Sequence, residues 1–108
     1  MAYTEKQHQA KVNVFEDVTT ALRNLYDAKN RDYGDSFGKS FEEWGLPMSC
    51  IRLTDKLNRL SSFAKGQDMK VNDEGVKDTL MDLANYAIMT LVELNMSENK
   101  KENDYETD

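Results

Sequence analysis

The stretch Val71-Asn-Asp-Glu-Gly-Val-Lys-Asp-Thr-Leu-Met-Asp-Leu-Ala-Asn-Tyr-Ala-Ile-Met-Thr-Leu-Val-Glu-Leu-Asn-Met96 decides the fold, because its spacing fits a single long helix. At about 100° per residue, Val76, Leu80, Leu83, Ala84, Ala87, Leu91 and Leu94 fall in one arc, and Glu74, Asp78, Asp82 and Asn85 in another. Toward the C-terminus Met81, Met89 and Val92 continue the acidic arc, so from Leu80 onward the helix is apolar nearly all round and is expected to be buried. Asp82 then sits where water is scarce and needs a cation, a hydrogen-bond donor or a metal ion. The same acids on an ion-paired or solvated face would need no ligand, so both readings stay open at this point. Asp73 and Glu74 would also follow from the helix dipole alone, behind a cap at Asn72.

Working outward, Met48 to Ala64 places Leu53, Leu57, Leu60 and Ala64 on an apolar stripe, with Arg52, Asp55 and Arg59 on a different face and Lys56 near its edge. Ion pairing within the helix accounts for Arg52, Asp55 and Arg59 as well as ligand binding does. Phe37 to Trp44 is expected to form a short helix closed by Gly45-Leu46-Pro47, with Phe41 and Trp44 as core anchors. Lys6 to about Lys29 carries Val12, Phe15, Val18, Leu22, Leu25 and Tyr26 three or four apart, which predicts a long amphipathic helix. Gly34 stops it, and Asp35 or Ser36 caps the next. A joint between helices explains those three residues. It explains less well why Arg31, Asp32 and Tyr33 stand together on the turn, where they could hold a phosphate and stack on a base.

No strand-like alternation and no repeat appears, so the class is all-α: a bundle of three long helices and one short one. The 108 residues suffice for one domain, expected over 1–96. Residues 97–108 carry five acids against two lysines, half of the chain's net charge of −6, and are expected to form a solvated or frayed tail. No apolar run is long enough to span a membrane, and the polar N-terminus does not fit a signal peptide, so a cytoplasmic protein with no membrane partner is expected. The single Cys50, expected to be buried, and the single His8, expected at the surface, exclude a disulfide framework and argue against a Cys/His zinc site or a Ser/His/Asp triad. The acidic balance argues against stable duplex binding but not against a nucleotide carried with its magnesium.

If the helices bearing Arg52–Arg59 and Asp78–Asp82 pack antiparallel, their polar faces adjoin. Carboxylates would then hold Mg²⁺, and arginines or Lys56 would take phosphate oxygens. Apolar faces this wide also predict a homodimer.

Three motifs carry a family resemblance. Lys29-x-x-Asp32-Tyr33-Gly34-Asp35-Ser36-Phe37, Arg52-x-x-Asp55-Lys56-x-x-Arg59-Leu60, and Asp73-Glu74-x-x-x-Asp78-Thr79-Leu80-x-Asp82-Leu83-Ala84-Asn85-Tyr86-Ala87 together resemble the first of the nucleotide-modification-associated domain families. These are small helical proteins found mostly in phages and prophages, and their core looks like that of MazG-type nucleotide pyrophosphohydrolases. The resemblance implies a MazG-like fold, a phage or prophage origin in a bacterial host, and a Mg²⁺-dependent protein that binds (deoxy)nucleotides, or a nucleoside triphosphate pyrophosphohydrolase. On that reading Asp55, Asp78 and Asp82 are metal ligands, Glu74 is a further ligand or the water-orienting base, and Asp32, Tyr33, Arg52, Lys56, Arg59 and Asn85 contact the nucleotide. The sequence departs from the enzymes' Glu-x-x-Glu and Glu-x-x-Asp pairs. Arg52-x-x-Asp55 replaces the first, and Thr79 stands three residues before Asp82, with the acid at Asp78 instead. Two readings of other classes compete: a non-enzymatic helical adaptor for a host or phage protein, and a purely structural ion network between the two helices.

Overall fold

A computed structural model describes the backbone of residues 2–66 and 73–106, and side chains over 2–66 and 74–101. It is all-α, with no strand among the described residues: α1 spans Glu5–Asp32, α2 Ser36–Trp44, α3 Leu46–Ala64 and α4 Asp73–Glu106. No helix there is long and apolar enough to cross a membrane. The chain divides into two units, Met1–Gly34 and Asp35–Asp108.

The first unit is α1. Thr4 starts it with a capping box: the Gln7 backbone N–H donates to the Thr4 hydroxyl at 3.1 Å, and the Thr4 N–H donates to the Gln7 side chain at 2.8 Å. Lys29 and Arg31 in the last turn suit the negative end of the helix dipole. The helix runs one turn further than the periodicity alone indicates. Arg31 and Asp32 therefore lie on helix rather than on a turn, and Tyr33 is the C-terminal cap. Leu22 is buried on α1, whereas Val12, Phe15 and Val18 of the expected stripe are exposed.

In the second unit α2 packs on both α3 and α4, and α3 packs along α4. Gly45 ends α2 and begins α3 at φ 68° and ψ −156°, a backbone region open essentially to glycine alone. Pro47 follows in the first turn of α3, where its missing N–H costs nothing, so α3 begins at Leu46 rather than at Met48. Phe37 of α2 lies against Tyr86 of α4 with ring centroids 6.1 Å apart. Trp44, expected as an anchor, is instead 65 % exposed, and Cys50, expected inside, is also exposed.

The contact between α3 and α4 includes buried polar side chains. Ser49 is fully buried, Thr90 and Thr79 nearly so, and the Ser49 and Thr90 hydroxyls are 2.8 Å apart. The Thr90 hydroxyl also reaches the Tyr86 carbonyl at 2.8 Å. One hydroxyl carries one hydrogen, so with Thr90 donating to that carbonyl, Ser49 is the donor between the two. Thr79 likewise donates to the Gly75 carbonyl, one turn back at 2.8 Å. Each buried hydroxyl is thus satisfied, which lets small polar side chains occupy a close helix crossing.

This corrects the expected core. Leu80, Leu91 and Leu94, placed by periodicity on the buried arc, are 45 %, 57 % and 41 % exposed, and Leu57 of the expected α3 stripe is exposed as well. The face that α4 turns to its neighbours is centred on Thr79, Tyr86 and Thr90, roughly a quarter turn from the leucine arc. The helix also continues past Met96 to Glu106, through residues expected to be frayed. The cap expected at Asn72 lies outside the described residues. Lys65 caps α3, and Gly66 follows at φ 68°.

Candidate functional site between helices three and four

Two cross-helix contacts fix the geometry. Ser49 meets Thr90, and Lys56, further along α3, meets Asp82, further back along α4. The helices are therefore antiparallel, and the polar edges of the second and third motifs adjoin. The Lys56 Nζ to Asp82 Oδ2 distance is 3.0 Å, and the side chains are 29 % and 36 % exposed. Asp82 thus has the cation that its position calls for, at a depth where solvent still reaches the pair. A partly exposed pair of this kind contributes about 0.2–1 kcal/mol to stability, so the fold does not depend on it.

Arg52, Asp55 and Arg59 are exposed on α3, and the Arg59 guanidinium carbon lies 5.5 Å from the centre of the Phe63 ring. On α4, Glu74 and Asp78 are exposed and Asn85 is half-buried. Asp78 and Asp82 are one turn apart on one flank of the helix. Among the described residues, no group of three or more His, Cys, Asp or Glu side chains is placed to hold a metal ion. The convergence of Asp55, Asp78 and Asp82 expected from the sequence is therefore not preformed. Asp82 is instead engaged by Lys56, and Asp55, one position before Lys56, projects about 100° away from it around α3.

Thr79, three residues before Asp82, is buried with its hydroxyl folded back on its own helix, so it presents no ligand atom to solvent. Asp32 and Tyr33 belong to the first unit and are exposed there, and neighbouring Arg31 pairs with Asp27 of the same helix at 3.1 Å.

Sequence reasoning passed over a second polar site. A groove of about 670 Å³ between α2 and the later part of α4 is lined in part by Asp35, Lys39, Glu42, Glu93 and Lys100. Burial, and then the nearby Asp35 carboxylate, push the Glu93 carboxyl above its ordinary value. Asp35 itself has a left-handed backbone at φ 60°. The available signal was positional: Glu93 is two turns beyond Tyr86, on the face of α4 that turns inward.

No curated protein and no solved structure shows a significant match to the chain. The family model of nucleotide modification associated domain 1 matches residues 29–94, which include all three motifs and the paired polar edges of α3 and α4. That match covers more than half of the sequence, and the chain accordingly belongs to the nucleotide modification associated domain 1 family.

Proposed function

We propose that the protein binds a (deoxy)nucleotide together with Mg²⁺ along the edge where α3 meets α4. The observation that carries this reading is the half-exposed Lys56–Asp82 pair, formed between two of the family's motifs and flanked by the exposed Arg52, Arg59, Asp55 and Asp78. Lys56 and the two arginines offer donors of the type that phosphate oxygens require. Asp82 and Asp78 offer one or two carboxylates, which suits Mg²⁺. That ion keeps several waters and takes much of its remaining coordination from substrate phosphates rather than from a protein cage.

When bound, Mg²⁺ would supply charge neutralisation on the phosphates. The chain's own contribution would be exchange: phosphate would compete with Asp82 for Lys56, and Asp82 would then be available to hold the ion. Glu74, one turn before Asp78, is the acid available to orient a water if a triphosphate is cleaved.

The test is a panel of nucleoside mono-, di- and triphosphates with Mg²⁺, read by thermal shift and by pyrophosphate release. Ligand at about 100 times Kd should stabilise the fold by about 2.7 kcal/mol. That corresponds to a Tm rise on the order of 10 °C. The shift should disappear in Asp82→Ala and in Lys56→Ala. No shift with any nucleotide, or equal shifts in wild type and both variants, would overturn the reading.

A further inference from the structure

The apolar arc that α4 withholds from α2 and α3 has a regular spacing: Leu80, Ala84, Ala87, Leu91, Leu94. Steps of four, three, four and three are the heptad pattern of a helix that pairs with another helix. Leu80, Leu91 and Leu94 are 45 %, 57 % and 41 % exposed, with Ile88 beside them at 43 %. We propose that this face is a homodimer seam, in which two copies of α4 pack antiparallel about a two-fold axis passing at Ala87.

Two features of the helix select a second copy in this orientation. First, with Leu83, which borders the stripe, in place of Ala84, the apolar set is symmetric about Ala87. Leu80 lies as far before it as Leu94 lies after it, and Leu83 as far before it as Leu91 after. A two-fold axis there sets Leu80 against Leu94 of the copy. It sets Leu91 over Leu83 of the copy, and Ala87 against itself, where the small side chain allows the backbones to come close. Leucine pairs thus flank a small alanine centre on both sides, as a self-complementary interface allows. Second, the charges at the ends of the seam agree. Lys77 and Glu98 are both exposed and lie at nearly equal distances on either side of Ala87. Antiparallel pairing brings each Lys77 beside Glu98 of the copy. Parallel pairing would set lysine beside lysine and glutamate beside glutamate.

The seam and the nucleotide edge are separate. Asp78 and Asp82 stand roughly half a turn of the helix away from the centre of the leucine arc, so pairing leaves them open. The seam does not rest on the nucleotide reading, and either can fail without the other.

Sedimentation equilibrium of the full chain is expected to return a dimer mass at micromolar concentration. Leu91→Glu should raise the dimer Kd at least 100-fold with the helical circular dichroism unchanged. If that variant fails to fold, the exposed charges decide the question. Lys77→Glu and Glu98→Lys should each raise Kd about threefold to tenfold, and the double reversal should return it to within about twofold of wild type. A monomer at millimolar concentration would overturn the seam. So would a dimer indifferent to Leu91→Glu and to both reversals, or single reversals whose effects add in the double variant.

Discussion

Thr90 and Ser49 show how one residue's partner sets the cost of changing it. Ser49 is fully buried, and its hydroxyl has Thr90 at 2.8 Å across the helix interface. Thr90→Val keeps the shape but strands the Ser49 hydroxyl, and is expected to cost about 1–3 kcal/mol in urea unfolding. Adding Ser49→Ala should recover most of that loss, because replacing both partners removes the unpaired group. A double variant as unstable as the sum of its singles would contradict the assignment. Glu93 gives a pH-dependent counterpart. Its carboxyl is raised in the folded protein by burial and then by Asp35, so the folded state holds this proton more tightly than the unfolded chain does. Folding is unpenalised below the ordinary value of 4.5, loses stability as the pH rises through the folded value, and carries the full penalty at neutral pH. Glu93→Gln should therefore raise Tm at pH 7 by a small, solvent-screened amount and give no advantage at pH 4. Thermal melts at both values check the sign.

At the scale of elements, the joint between α2 and α3 is a tightly constrained stretch of backbone. Gly45 holds φ 68° and ψ −156°, and a methyl group there would find its nearest atom, Pro47 Cδ, at a comfortable 3.8 Å. The cost of Gly45→Ala is thus conformational rather than steric. It is expected to be about 1–3 kcal/mol, read as a lowered urea midpoint with an unchanged slope. This joint was legible, because Gly45-Leu46-Pro47 is a stop followed by a start, although the proline proved to belong to the second helix. The helices themselves were legible from spacing alone. The rotation of α4 was not. Periodicity identifies an apolar face without saying whether the same chain covers it, and here Thr79, Thr90 and Ser49 fill the crossing while the leucines stay outside. Buried threonines on a helix give little warning, since their hydroxyls return to carbonyls one turn back.

For the whole molecule, the motifs Lys29–Phe37, Arg52–Leu60 and Asp73–Ala87 pointed to the family, and the match over residues 29–94 agrees with them. The antiparallel approach of α3 and α4 was legible too, and it brings Lys56 to Asp82. The meeting of three aspartates was not borne out as a preformed group, for two physical reasons. A carboxylate beside lysine is satisfied without a metal, and Asp55 and Lys56, adjacent on a helix, cannot face the same point. The remaining claim is that this edge takes a nucleotide with its magnesium, and calorimetric titration of Mg²⁺ and nucleoside triphosphate into wild type and Asp82→Asn tests it most directly. Saturable wild-type binding that needs Mg²⁺, weakened at least tenfold in a variant still folded to within about 1 kcal/mol of wild type, is the predicted result. No heat of binding with any nucleotide, or equal affinity in the two proteins, would contradict it.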